Sequence, residues 1–278
     1  MEFLERYGPW ALVVGGSTGL GAACAREAAS RGLDVVLTAR RPGPLQTLAE
    51  EIQERHGVEV RVVANDIGDA DAASRVLEAV AGLDVGLLVY NAAGERVGPF
   101  YEMSLEDHLF NIAANCTTPT TLSYEIGRRL TARGHGGIAI VSSIAALVGC
   151  SYMAMYAATK SFEWVLGEGL YAELEPHGVD VALYLLGSTA TPSFMERYGA
   201  NVDPSRAGHI ETDDPLETMF NRQSVPTSPE DAAAHLFANL ANGPVLYSDP
   251  IDERTADKMR AMPRNDLVKL MSALVRGQ

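Results

Sequence analysis

The chain has 278 residues, 47% of them apolar and 21% charged, with a formal net charge of −14. That length and apolar content suit one α/β domain with a substantial core, and they exclude a disordered chain. The acidic balance disfavours nucleic acid and anionic lipid as partners, because phosphates are repelled; an anionic cofactor held by local groups remains compatible with it.

The first ten residues, MEFLERYGPW, lack the basic and apolar regions of a signal peptide. No run of about 18 apolar residues occurs, so no membrane-spanning helix is expected. Three scattered cysteines, Cys24, Cys116 and Cys150, form no C-x-x-C pair. They read as small buried hydrophobes in a reducing compartment rather than as a disulfide framework or a zinc site. A cytoplasmic location is expected. The six histidines show no metal-ligand spacing and read as surface or capping residues, so no metal is expected.

In chain order, short apolar runs alternate with longer amphipathic stretches. The runs are Ala11–Val14, Asp34–Ala39, Val58–Val63, Val85–Tyr90, Gly137–Ser142 and Asp180–Leu186. Helical patterns fall near 20–31, 43–56, 69–81, 104–132 and 152–175. This β-α alternation predicts a parallel sheet with helices on both faces, and the nearly continuous apolar runs predict strands buried on both sides. After Leu186 the pattern loosens. Residues 187–227 hold four prolines and only short helical hints, which predicts an irregular functional segment of the lid type. A helix restarts at Ser228-Pro229-Glu230, a last strand is expected at Pro244–Tyr247, and the tail from about 250 to 278 reads as helical near 252–261 and 264–275. One domain is predicted.

The run Gly15-Gly16-Ser17-Thr18-Gly19-Leu20-Gly21 follows the first strand and opens the first helix. Glycines allow a sharp turn and close approach of a pyrophosphate, and the helix N-terminus offers unpaired N–H groups to it. A plain tight turn uses the same residues. The run also fits the G-x-S-x-G nucleophile elbow. A Ser17 hydrolase, however, would need an oxyanion loop from an earlier strand, and only ten residues precede this one; its histidine would be His209 or His235.

Strand two ends Thr38-Ala39-Arg40-Arg41, with no carboxylate to hold a ribose 2′-hydroxyl. Two guanidiniums there suit the 2′-phosphate of NADP rather than NAD, Arg40 being the better placed; the alternative is an ordinary solvated charge pair.

Tyr156 and Lys160 are four apart in a predicted helix and so share a face. A phenol, with a reference pKa of about 10, is a poor base near neutrality, and a neighbouring cation favours its ionised form. Ser143 ends strand five at the ligand-facing edge, where its hydroxyl can bond a substrate oxygen. Asn91-Ala92-Ala93-Gly94 ends strand four at the same edge. Asn115 interrupts a helix, either as a satisfied buried amide or as a holder of functional water. Tyr152 and Met153 are candidates for the substrate pocket.

Residues 10–192 resemble the short-chain dehydrogenase/reductase superfamily, mildly its ketoacyl-reductase and hydroxysteroid-dehydrogenase branch. The matching residues are Gly15, Gly19 and Gly21; Asp66-Ile67; Asn91 to Gly94; Asn115; Ser143; Tyr156 and Lys160; and Leu186-Gly187 with Thr191. The resemblance implies a single Rossmann-type, doubly wound parallel sheet of about seven strands. It implies interconversion of a carbonyl and a secondary alcohol with NADP(H), with Tyr156 exchanging the proton and Ser143 polarising the substrate. Lys160 would hold the nicotinamide ribose and Asn115 a water linked to Lys160. Asp66, Ile67 and Asn91 would contact the adenosine side; Gly187, Thr189 and Thr191 would lie by the nicotinamide. A homodimer or homotetramer is implied as well. Val14, Tyr90, Leu186 and Thr189 depart from the family pattern without removing a catalytic group. A non-catalytic dinucleotide sensor is the other class of reading, disfavoured because Asn115, Ser143, Tyr156 and Lys160 are all present.

Overall fold

A computed structural model of the protein describes residues 2–203, 205 and 210–276. Among them, β1 (Trp10–Val14), β2 (Asp34–Ala39), β3 (Val60–Ala64), β4 (Val85–Tyr90), β5 (Gly136–Ser143), β6 (Val179–Leu186) and β7 (Val245–Tyr247) form one parallel sheet. Their order is β3-β2-β1-β4-β5-β6-β7. The direction of winding reverses between β1 and β4, and a crevice opens there beyond the carboxyl ends of the strands.

The sheet is covered on both faces. On one lie α2 (Gly19–Ser30), α3 (Pro42–His56) and α10 (Pro229–Asn239), packed on Val13, Leu37, Val89 and Tyr184. On the other lie α4 (Ala72–Ala79), α6 (Thr118–Arg133) and α7 (Ala154–Leu174), packed on Leu12, Leu88, Ile140 and Leu183. β1, β4 and most of β5 and β6 are accordingly buried along their length. β3 differs from the expected fully buried strand. It is the sheet edge, its residues are mostly exposed, and it starts and ends later than Val58–Val63. Arg61 on it lies over the Trp10 ring at 4.9 Å.

Three local features depart from the periodicity. A one-turn helix, α1 (Phe3–Tyr7), precedes β1; its Arg6 and Tyr7 both donate to the Asp180 carboxylate, at 2.5–2.6 Å. The helix expected over 104–132 is divided into α5 (Leu105–Ile112) and α6 by a π-helical turn at Ala113–Thr117. The loose segment 187–227 contains α8 (Pro192–Tyr198) and α9 (Pro215–Ser224), and Thr189 pairs with Thr227 to close its base. The tail forms α11 (Pro250–Ala261) and α12 (Arg264–Arg276). No helix is long and apolar enough to cross a membrane among the described residues.

Candidate active site

A cleft of about 700 Å³ runs across the carboxyl ends of β2, β1, β4, β5 and β6. Its floor is the turn after β1. Gly15 and Gly16 donate to Thr38 O at 2.7 and 3.0 Å, folding the chain back over β2. Gly15 sits at φ +84°, and a Cβ there would lie 2.7 Å from the Ala92 backbone. A Cβ on Gly21 would lie 2.0 Å from Gly15 O, which also accepts from Asn91 Nδ2 at 3.1 Å. Side chains are therefore barred where the turn, α2 and the end of β4 converge. Thr18 caps α2 through no side-chain bond, and Gly19 and Leu20 at the start of that helix line the cleft. A cradle of this kind fits the pyrophosphate of a dinucleotide.

At one end of the cleft stand Arg40 and Arg41. Arg40 is exposed, and its guanidinium lies 3.9 Å from the Asp66 carboxylate. Asp66 also accepts from Gly68 N, and Ile67 O accepts from Thr118 Oγ1 at 2.9 Å. Ser17, Thr18, Gly19, Leu20, Ala92 and Ala93 line the middle, and Gly187, Thr189 and Thr191 the far wall. Thr191 caps α8 by accepting from Phe194 N, and Gly19 approaches its side chain. Gly187 has no room for a Cβ against Asp252. Gly21, Gly94 and Asn115 stand behind the wall rather than in it.

At the other end Ser143 and Tyr156 face each other. The Ser143 hydroxyl accepts from Ala145 N at 3.1 Å, and both Ser143 and Tyr156 line the cleft. Burial and then the Glu95 carboxylate push the Tyr156 phenol well above its ordinary range, with a smaller push from Glu163; Ser143 and Arg197 pull it down. One turn along α7, Lys160 is almost fully buried. Its Nζ donates to Val141 O at 3.0 Å and to Glu163 Oε2 at 2.9 Å, and lies 6.0 Å from the centre of the Tyr156 ring. Glu163 is itself inaccessible, and burial pushes its carboxyl up to about 7.

Asn115 is a buried amide with three hydrogen bonds. Its Oδ1 accepts from Gly94 N at 2.7 Å, and its Nδ2 donates to Gly94 O and Thr159 Oγ1 at 2.8 and 2.9 Å. Both its Nδ2 protons are used, and its Oδ1 keeps one acceptor site. It sits in the π-turn. Tyr90, an unusual residue at its position, donates from its hydroxyl to Ala114 O and so ties β4 to the same turn.

The sequence patterns pass over several cleft residues. Glu95 and Arg197 form an ion pair at 2.5 Å across the mouth. Met219, Met259 and Met271 build an apolar end with Leu147, Val148 and Met153, the last of these a candidate from the sequence. Met271, Leu274 and Val275 come from α12, whose apolar spacing in the tail was the one available sign of it. Tyr152 does not line the cleft; it is partly exposed at φ +66°, with its carbonyl accepting from Gly98 N. Of the cysteines only Cys24 is fully buried, and Cys150 lines the cleft. His108 is buried rather than at the surface, stacked on Phe100 and bonded to its carbonyl at 2.8 Å. No described histidine lines the cleft beside Ser17. His235 on α10 lies near the Tyr184 hydroxyl, and His209 is outside the described residues.

Residues 9–201 match the family model described as short chain dehydrogenase. The chain is 30% identical over 268 residues to a 7beta-hydroxysteroid dehydrogenase of Clostridium sardiniense, covering 96% of each. It is 34% identical over 195 residues to one of Collinsella aerofaciens, covering 70% of this chain and 74% of that one. Its fold superposes with a TM-score of 0.87 on a structure solved in a study of 7beta-hydroxysteroid dehydrogenase stereoselectivity, at 27% identity and covering 98% and 99% of the two chains. Glycine turn, winding order and sequence match agree along the same stretch, and the chain belongs to the short-chain dehydrogenase/reductase family.

Proposed function

We propose that this protein interconverts a carbonyl and a secondary alcohol with NADP(H), on a hydrophobic substrate of hydroxysteroid size. The observation that carries the reading is the convergence of the Ser143 and Tyr156 hydroxyls on one end of the cleft, with Lys160 one helical turn away. The apolar methionine wall next to them, and relatives named for hydroxysteroids over nearly the whole chain, support the substrate class.

When bound, a nicotinamide cofactor would supply or accept the hydride. The chain's own residues bind, orient and move the proton. Arg40 and Arg41 would hold the 2′-phosphate, with Asp66, Ile67 and Asn91 on the adenosine side. Ser17 to Leu20 would receive the pyrophosphate, with Gly21 giving the turn its room from behind. Ala92 and Ala93 would flank the ring, with Gly187, Thr189 and Thr191 by its carboxamide. Ser143 donates to the substrate oxygen and fixes it beside Tyr156. Tyr156 passes its proton to that oxygen as negative charge builds during reduction, and takes it back during oxidation. Lys160 uses two of its three ammonium protons on Val141 O and Glu163, and the third is available to the ribose hydroxyls. Asn115 in the π-turn would retain the water that links Lys160 to solvent.

The segment 187–227 serves as the substrate lid over one domain, and the tail from 250 closes the apolar end. The exposed apolar side chains Leu105, Leu109, Tyr124, Phe162 and Val165 on α5, α6 and α7 are taken to pair with another copy in a homodimer or homotetramer. The three unpaired cysteines fit a reducing, cytoplasmic setting.

The test is a panel of ketones and alcohols, including hydroxysteroids, assayed with NADPH and NADH on the wild type and Tyr156→Phe. Turnover should fall by about 10²–10⁴-fold in the variant while NADPH binding persists. Turnover that survives the substitution would remove Tyr156 from the proton transfer. Cofactor binding without any turnover in the wild type would point to the sensor reading.

A further inference from the structure

Burying an ammonium is costly unless an anion accompanies it, and Lys160 and Glu163 are buried together. The pair is formed within one turn of α7, with Nζ and Oε2 2.9 Å apart. The other carboxylate oxygen, Oε1, is buried with no partner among the described residues.

We propose that Glu163 is a positioning residue: as the counter-ion of Lys160 it largely cancels the lysine's field at the Tyr156 hydroxyl, and so sets how tightly Tyr156 holds its proton. The inference rests on the reading of Tyr156 as the proton carrier. The usual argument for a tyrosine beside a lysine is that the bare cation favours phenolate. Here the cation carries its own anion, and the two charges at one place act on the phenol as little more than a dipole. The phenol form, which carbonyl reduction consumes, then persists to higher pH.

The groups that face Tyr156 are few. From α7 itself come Lys160 and Glu163, from β5 Ser143, from the loop after β4 Glu95, and from α8 Arg197. Around Glu163 are Lys160, the Ser142 hydroxyl, Cys116 in the π-turn and Tyr90 on β4. Glu163 titrates below the range of a phenol, so it is ionised when Tyr156 releases its proton. Glu95 acts on Tyr156 in the same direction, but it is compensated by Arg197 and reaches solvent at the cleft mouth.

The experiment compares wild type and Glu163→Gln. The midpoint of Tyr156 is read from the pH dependence of kcat/KM for alcohol oxidation by the holoenzyme. It is also read from the ultraviolet difference titration of each protein against its Tyr156→Phe counterpart. Glutamine keeps an oxygen for Lys160 and removes the charge, so the midpoint should move about one unit to lower pH, with NADPH affinity nearly unchanged. Glu163→Asp should restore most of the wild-type midpoint. A purely structural role would lower activity without moving the midpoint, and coincident midpoints overturn the proposal. Where Glu163→Gln does not fold, the double variant Lys160→Met/Glu163→Gln, which replaces the buried pair by neutral groups, decides by the ultraviolet titration. Removing a mutually cancelling pair leaves the midpoint within about half a unit, and a rise of about one to three units shows that the lysine's field had prevailed. A midpoint that shifts as expected in a protein that turns over no alcohol or ketone would refute the oxidoreductase reading while leaving the electrostatic one standing.

Discussion

Arg197 on α8 reaches Glu95 after β4 at 2.5 Å, and among the described residues this ion pair alone joins the segment 187–227 to the loop beside Tyr156. Both side chains remain over a third exposed, so the contact orients the cleft mouth more than it stabilises the fold.

Arg197→Ala should therefore raise KM for the carbonyl substrate several-fold and leave stability within about 1 kcal/mol. Steady-state kinetics beside a denaturant titration check it. An unchanged KM would mean that α8 is held by its other contacts, through Thr191 and the Gly19 turn.

Asn115→Ala removes three buried hydrogen bonds and leaves the N–H and C=O of Gly94 without partners. The expected cost is about 2–4 kcal/mol, with turnover lost as the π-turn relaxes. The unfolding midpoint in urea measures this. A loss under about 0.5 kcal/mol would show that water or a regular helix replaces the amide.

Arg40→Asp replaces a guanidinium at the end of β2 with the carboxylate that suits a ribose 2′-hydroxyl. It also places two acids together, because Asp66 lies within 3.9 Å of the present Arg40. NADPH affinity should fall by at least about tenfold while NADH gains relative preference. Fluorescence titration with both nucleotides tests the assignment, and an unaltered ratio would move the 2′-phosphate to Arg41 or elsewhere.

Glu163 also predicts a pH dependence of stability. Its carboxyl is pushed from 4.5 up to about 7 by burial, so between those values the folded chain keeps a proton that the unfolded chain has released. Its contribution to stability is present in full below about pH 4.5 and is lost as pH rises through about 7. Unfolding free energies measured across that window should fall for the wild type relative to Glu163→Gln. Parallel curves would show that the carboxyl is already ionised throughout.

Much of the protein is legible in one dimension because the signals are local. Hydrophobic runs of strand length, separated by amphipathic helical stretches, dictate a parallel sheet covered on both faces, and β1 to β7 follow in that way. The glycine turn is legible because positive φ and the close approach at Gly15 and Gly21 admit no side chain. Tyr156 and Lys160 are legible because a helix places every fourth residue on one face.

What the tertiary structure alone decided lies in contacts between distant segments. Asn115 meets Thr159 across 44 residues and Arg197 meets Glu95 across 102. Tyr90 finds Ala114, and the methionines of α9, α11 and α12 meet at the apolar end of the cleft. Lys160 and Glu163 are near in sequence, yet nothing in their spacing says that both are sealed from water between α7 and β5. Local patterning states which face of an element turns inward; it does not state what waits there, and the charge balance at Tyr156 depends on that.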